Sequence, residues 1–187
     1  LSVEKVRAAI TPKTKAIMAV DIGGLPADYI ELMNLINEEI IKSQFKASNE
    51  KQEKLGRILL LSDSAHSFGA IYNGKRSGSL ADISSFSFHA VKNLTTAEGG
   101  ALCFDLPEGF NHDEIYAEMC TKILHGQNKD ALAKTQKGNW KYDVIEPGFK
   151  CNMTDLQAAI GLVELGRYQE NLDRRKSIFN QYKTAFS

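Results

Sequence analysis

The sequence predicts an α/β layered domain built on a mixed sheet. Two short apolar runs, "AIMAV" (16–20) and "ILLL" (58–61), read as buried strands. Between them, "YIELMNLINEEIIKSQF" (29–45) places apolar residues at helical spacing. Further on, two strand-like segments, 82–89 and 99–104, lie close together without a helix between them. Strands separated by helices, followed by strands near one another, point to a mixed sheet with helices packed on it.

The elements follow in order. Ser2 is a helix N-cap, with Lys5 where the Glu of a capping box would stand, so half the box is present. Val6, Ala9 and Ile10 give that helix a short apolar stripe, which "TPKTK" ends. After the strand 16–20, "DIGGLPAD" is turn chemistry. The helix 29–45 is followed by "KASNEKQEKLGR" (46–57), a charged helix end and loop. The strand 58–61 leads into "SDSAHSFGA" and a polar, Gly-bearing loop, "IYNGKRSG". In "DISSFSFH" (82–89), Ser84, Phe86 and Phe88 share one face and Ser85, Ser87 and His89 the other. "GGALCF" (99–104) is a strand, and 113–125 a helix. Residues 126–152 read as long, irregular and polar. Thr154, with Gln157 three residues on, opens a helix "DLQAAIGLVELGRYQENL" that carries the small residues Ala158, Ala159 and Gly161.

At 187 residues the chain fits one domain and can bury a substantial core. Its 23 basic residues balance 23 acidic ones, which gives no electrostatic argument for nucleic acid or an anionic membrane. No apolar run is long enough to span a bilayer, and no signal-peptide pattern opens the chain. Cys103, Cys120 and Cys151 match neither a disulfide framework nor a zinc pattern, so a reducing cytoplasm is the expected setting and no metal is expected. The chain opens at Leu1 directly into a helix and stops within another, so it reads as a piece of a longer protein.

Three places carry candidate chemistry. Asp63 ends the apolar run 58–61, and ligands of open α/β sheets bind at that edge of the strands. A carboxylate there can hold a cationic ring nitrogen; it can equally cap the next turn. The Ser85/Ser87/His89 face offers hydroxyls that could donate to a phosphate, or a strand edge turned to water. Lys92, just past that strand, is either a solvated loop lysine or an amine that desolvation turns into a nucleophile toward an aldehyde. Asp63 and Lys92 are 29 positions apart, which fits two neighbouring strands and one connection. Together they would supply an acid partner for a pyridine nitrogen and an amine for its aldehyde, the pair that pyridoxal phosphate chemistry needs.

The run "DSAHSFGAIYNGKRSGSLADISSFSFHAVKNLTTAEGGAL" closely resembles the core of the DegT/DnrJ/StrS family, the pyridoxal-phosphate sugar aminotransferases of fold type I. "AITPKTKAIMAV" with "LPAD" matches the family upstream, and "PGFKCNMTDLQAAIGLVEL" matches it downstream, so the resemblance covers nearly the whole chain. It implies a three-layer α/β/α architecture with a mixed, mostly parallel sheet. It also implies that Lys92 binds pyridoxal 5'-phosphate covalently and that Asp63 partners its ring nitrogen. His66 would contact the ring and its phenolic oxygen, and Ser87 the phosphate. The implied reaction moves an amino group, with glutamate as donor, onto a keto sugar linked to a nucleotide. A homodimer is expected, with Lys150 or Asn152 reaching the partner's cofactor and the small-residue stripe giving tight helix packing.

There are departures. Asp21 stands where the family usually has His, and Gly148-Phe149-Lys150-Cys151-Asn152 stands where G-Y-N-Y-R is common. Residues 37–57 are longer and more charged than the usual link. Family members are also much longer than this chain. Residues 1–165 are therefore expected to be part of the cofactor-binding large domain, and 166–187 a helix leading toward a small C-terminal domain. The segments absent by that comparison carry a phosphate cradle, an aromatic that stacks on the ring, and the small domain itself. Two alternatives stay open: a non-catalytic fragment or assembly module of the same fold, and a sugar dehydratase of that fold. The dehydratase branch has His in place of the lysine, so Lys92 argues against it.

Overall fold

The computed structural model describes residues 1–128 and 141–186. These divide into two compact units, Leu1–Asp105 with Asp155–Ser187, and Leu106–Thr154.

The first unit is built on a four-stranded sheet of order β1-β2-β5-β6. Its strands are β1 (Ala16–Val20), β2 (Leu59–Asp63), β5 (Ile83–Ser87) and β6 (Gly100–Phe104). The first three are parallel, with Val20 opposite Asp63 and Asp63 opposite Ser85; β6 runs antiparallel to β5, with Ser85 opposite Leu102. The fold class expected from the sequence is the one observed, and the strands begin and end within two residues of their expected limits. Helices α1 (Val3–Ala9), α2 (Tyr29–Asn37) and α3 (Glu39–Gln44) supply Val3, Val6, Leu32, Leu35, Ile36 and Ile41 to a core that includes Ala19, Ile58 and Leu60. Ser2 caps α1, accepting from the Lys5 amide. Below the core, Arg57 and Asp82 form a buried bidentate pair at 2.7 Å, and the Asp82 carboxylate also accepts from the Leu60 amide at 2.8 Å. That pair joins the start of β2 to the start of β5 where their ladder begins.

Four local expectations are corrected. The helix expected over 29–45 is two helices, because Glu38 leaves helical backbone at ψ 135°. Its carboxylate takes both guanidinium nitrogens of Arg7, each at 2.5 Å, which ties the break to α1. The charged stretch 46–57 contains a separate helix, α4 (Glu50–Leu55), capped by Asn49 and stopped by Gly56 in the left-handed region. The loop 71–78 holds a two-stranded hairpin, β3 (Ile71–Tyr72) with β4 (Lys75–Arg76). Asn73 and Gly74 both have positive φ, 47° and 79°, as a two-residue hairpin loop requires. Finally, the helix opening at Asp155 ends at Gly166 (α6, Asp155–Gly166), and a second begins at Tyr168 (α7, Tyr168–Ala185). Tyr168 joins a small cluster with Phe68, Phe86, Phe88 and Leu94 and donates its hydroxyl to the Phe68 carbonyl at 2.5 Å.

One member of the small-residue stripe on α6, Gly161, packs within the chain. A Cβ added to Gly161 would meet Thr96 Cγ2 at 2.8 Å, so the glycine lets α6 lie directly on the segment after Lys92. Gln157 of the same helix donates to the Glu98 carbonyl at 2.8 Å.

In the second unit, helix α5 (His112–Ile123) is capped by Asn111, whose side chain accepts from the amides of Asp113 and Glu114. Lys122 on its last turn pairs with Glu146 at 2.7 Å. Single bridges join Leu124 to Lys150 and Gln127 to Val144. The irregular stretch expected over 126–152 lies partly outside the described residues. No helix among the described residues is long and apolar enough to cross a membrane.

Candidate active site

Parallel strands bring their C-terminal ends to one edge, and that edge collects the chemistry. Asp21 follows β1, Asp63 ends β2 and Ser87 ends β5. The neighbouring-strand relationship expected for Asp63 and Lys92 holds: β2 and β5 pair directly, and Lys92 lies five residues beyond Ser87. Because register fixes facing, Asp63, Ser85 and Ser87 share one face of the sheet, with Met18, Val20 and Leu102. The opposite face of β5 buries Ser84, Phe86 and Phe88, in the alternation expected from the sequence.

Of the two roles the sequence left open for Asp63, the turn contact is the one observed, and it occupies a single carboxylate oxygen. Asp63 Oδ1 accepts from the Ala65 amide at 3.1 Å, which closes the turn after β2. Oδ2 has no partner among the described residues and remains available to a donor. Ser87 is half-buried, and its Oγ accepts from the His89 amide at 3.4 Å, leaving the hydroxyl proton to give. Ser85 is turned toward the Ser62 carbonyl at 3.4 Å, and His89 stands 3.6 Å from Glu98. Lys92 sits in a turn whose amide donates to the His89 carbonyl at 2.9 Å. Its side chain is half-buried, with no hydrogen-bond or ion-pair partner among the described residues.

His66 is exposed at the turn after β2, and its Nδ1 accepts from the Gly23 amide at 3.3 Å. Asn93, next to Lys92, donates from Nδ2 to the His66 carbonyl at 3.1 Å, and Arg175 of α7 donates to Asn93 Oδ1 at 2.8 Å. The lysine turn and the turn carrying Asp63 and His66 are thus tied together by one side chain. Lys150 and Asn152 belong to the second unit, where Lys150 Nζ donates to Asn152 Oδ1 at 2.5 Å.

Asp21 is the residue that sequence reasoning noted only as a departure. It is completely buried. Its Oδ1 accepts from the Ala27 amide at 3.1 Å and the Tyr29 hydroxyl at 2.7 Å. Its Oδ2 accepts from Ser67 at 2.5 Å and Ser64 at 3.2 Å. Ser62 also reaches Oδ2, at 3.4 Å, and contacts the Tyr29 and Ser64 hydroxyls at 2.5 and 2.6 Å. Burial pushes the Tyr29 phenol well above its ordinary value; the Ser62 contact opposes that rise and Asp21 adds to it. The phenol therefore stays a donor. The signal in the sequence was the recurrence of serine at 62, 64 and 67 opposite an aspartate, which reads as turn composition until the strand register is known.

Carboxylate, amine, hydroxyl and imidazole at the ends of two adjacent parallel strands suit a ligand with a ring nitrogen, an aldehyde and an anionic group. The whole chain, residues 1–187, matches the DegT/DnrJ/EryC1/StrS aminotransferase family. The chain belongs to that family. The spore coat polysaccharide biosynthesis protein SpsC of Bacillus subtilis is 36% identical over 97% of this chain and 41% of its own length. An uncharacterised Methanocaldococcus jannaschii protein, MJ1066, is 34% identical over all of this chain and 42% of its own length. Among solved structures, Spr1654 of Streptococcus pneumoniae, described as a sugar aminotransferase, superimposes with a TM-score of 0.90 at 46% identity in its PMP form. That match covers all of this chain and 46% of that one; the same protein has also been solved in a PLP form. PseC of Helicobacter pylori, an aminotransferase of pseudoaminic acid biosynthesis, superimposes with a TM-score of 0.67 at 28% identity. The chain spans less than half the length of these relatives.

Proposed function

We propose that this chain forms part of the cofactor-binding domain of a pyridoxal-phosphate-dependent aminotransferase acting on a keto sugar linked to a nucleotide, with glutamate as amino donor. One observation supports this above the others: Asp63 with an open Oδ2 and Lys92 with an unpartnered amine, at the ends of adjacent parallel strands in a family of aminotransferases. The donor set fits the cofactor. Asp63 Oδ2 would accept from a protonated ring nitrogen, Ser87 would donate to the phosphate, and His66 would meet the phenolic oxygen. The chemistry the cofactor supplies when bound is an electron sink for charge that develops at the amine-bearing carbon. Lys92 Nζ would be the amine that holds the cofactor through its aldehyde and, when free, the base that takes the proton from the amine-bearing carbon of the substrate. Asp63 would keep the ring nitrogen charged. Lys150 or Asn152 would reach the cofactor of a second copy in a homodimer, and residues 166–187 would lead toward the small domain of the full-length relatives.

The face carrying Asp63 also supports a second reading, that residues 1–187 alone do not transaminate. Met18, Val20 and Leu102 on that face are 65%, 47% and 49% exposed, whereas parallel sheets in α/β proteins are covered on both faces. A further layer of polypeptide belongs there, and with it the remaining cofactor contacts. Each charge-assisted hydrogen bond absent from a phosphate site costs about 1.5–3 kcal/mol, so two such losses weaken retention about a hundredfold or more. The test is to express residues 1–187 and a longer chain containing them, saturate each with pyridoxal phosphate, dialyse, and record the visible spectrum and amine transfer. Retention and transfer by the longer chain alone fit the proposal. A longer chain that neither colours nor transfers amine overturns the aminotransferase reading.

A further inference from the structure

We propose that Asp21 is a positioning residue for His66, holding the imidazole as the tautomer that donates from Nε2. The inference rests on the reading of His66 as a contact to the cofactor's phenolic oxygen, and it concerns how that contact is made.

A fully buried carboxylate is costly unless hydrogen bonds replace its water. Among the described residues Asp21 has no cationic partner; the donors that satisfy it are the Ala27 amide and the hydroxyls of Tyr29, Ser62, Ser64 and Ser67. These donors come from two separate stretches of chain, 27–29 after β1 and 62–67 at the end of β2 and beyond it. The carboxylate therefore binds the two turns together, with donors from each. Where the turns meet, the backbone of one lies against the histidine of the other. Gly24, at φ +85°, would place a Cβ 2.9 Å from the His66 carbonyl oxygen, so the approach requires glycine. One residue earlier, the Gly23 amide points at His66 Nδ1.

That amide decides the tautomer. A backbone N–H can only donate, so Nδ1 must present a lone pair. The neutral ring then carries its proton on Nε2. An oxygen of a ligand beside His66 meets an N–H rather than a second lone pair, which suits an acceptor such as a phenolate. Asn93 fixes the carbonyl of the same residue, so the ring and the backbone of His66 are held from different segments. Without the Asp21 anchor, the turn 64–67 is held less firmly against the 21–25 segment, and the exposed Gly23 contact, long at 3.3 Å, is expected to loosen.

The tautomer can be measured without cofactor. In protein labelled with ¹⁵N-histidine, the His66 ring signals are identified by their loss in His66→Gln. The expected wild-type result is a protonated Nε2 with Nδ1 as acceptor. In Asp21→Asn, which keeps the shape but turns an N–H₂ toward hydroxyl donors, the signals should move to the averaged positions of a ring exchanging between tautomers. Ser67→Ala removes one donor, keeps the carboxylate, and should shift the signals the same way by less; it decides the matter if Asp21→Asn does not fold. A wild-type ring protonated on Nδ1, or folded variants with an unchanged tautomer, would overturn the proposal. A parallel titration with pyridoxal phosphate should show Lys92 still reacting in both variants, with affinity reduced about tenfold for Asp21→Asn. If Lys92 does not react even in the wild type, the cofactor reading fails, while the tautomer result still decides the role of Asp21.

Discussion

Asn93 Nδ2 lies 3.1 Å from the carbonyl oxygen of His66, across 27 positions of sequence. This one hydrogen bond spans the two turns that carry Lys92 and Asp63, and Arg175 orients the amide that makes it. Removing it should loosen both turns without emptying either. Asn93→Ala is expected to weaken cofactor retention by about five- to tenfold, the worth of a single hydrogen bond of about 1 kcal/mol. Equilibrium dialysis of the full-length protein with pyridoxal phosphate measures this. Arg175→Ala should act in the same direction and add little to Asn93→Ala, because the two act in series.

Asp63→Asn separates holding the cofactor from using it. The side chain keeps its shape and can still accept from the Ala65 amide, so the turn should survive. The charge that keeps a ring nitrogen protonated is lost. Binding should remain close to wild type while amine transfer falls by about a hundredfold or more, in the range of an acid–base contribution. Wild-type turnover in Asp63→Asn would exclude the electron-sink role.

Tyr29→Phe tests the buried network behind the site. The substitution deprives Asp21 of a donor in a place where water does not reach, and the expected loss is about 1–3 kcal/mol in urea unfolding. The same variant carries a pH signature. The folded phenol titrates above its unfolded value, so the folded state holds the proton more tightly. Stability from this group is complete below about pH 10, the ordinary tyrosine range, and is lost as pH rises through the folded value. Tyr29→Phe should lack that alkaline component and otherwise unfold with the same pH profile.

Gly161→Ala tests the seating of α6. Alanine favours a helix by about 1 kcal/mol over glycine, but the new methyl would stand 2.8 Å from Thr96 Cγ2. Thr96 is buried and its hydroxyl is committed to the Glu98 carbonyl, so it cannot swing aside cheaply. Overpacking costs about 1–3 kcal/mol, and net destabilisation is expected. Adding Thr96→Ser removes the opposing methyl and should recover the loss; a Gly161→Ala variant as stable as the wild type would show that the contact is loose.

The strands and the Asp63–Lys92 relationship were legible because both rest on local pattern. Apolar runs of four or five residues, and a spacing that one connection can span, need no knowledge of the rest of the fold. The Asn73-Gly74 hairpin was equally legible from its dipeptide and was read as a loop because the strands flanking it are only two residues long. The breaks at Glu38 and Arg167 were not legible from periodicity. Each keeps apolar residues on both sides of the interruption, and each is tied to a distant group, Arg7 in one case and, through Tyr168, Phe68 in the other. Asp21 was opaque for the same reason. Its partners lie six to 46 positions away, and only strand register brings three serines and a tyrosine to one carboxylate. The small residues of α6 suggested close packing, and the structure shows Gly161 making it to Thr96 of the same chain.

The central claim is that Lys92 holds the cofactor. Borohydride reduction of the full-length protein saturated with pyridoxal phosphate, followed by proteolysis and mass spectrometry, tests it directly. The account predicts a reduced pyridoxyl group on the peptide "HAVKNLTTAEGG", at Lys92, with no other lysine labelled stoichiometrically. A pyridoxyl group at another lysine, with Lys92 recovered unmodified, would contradict it.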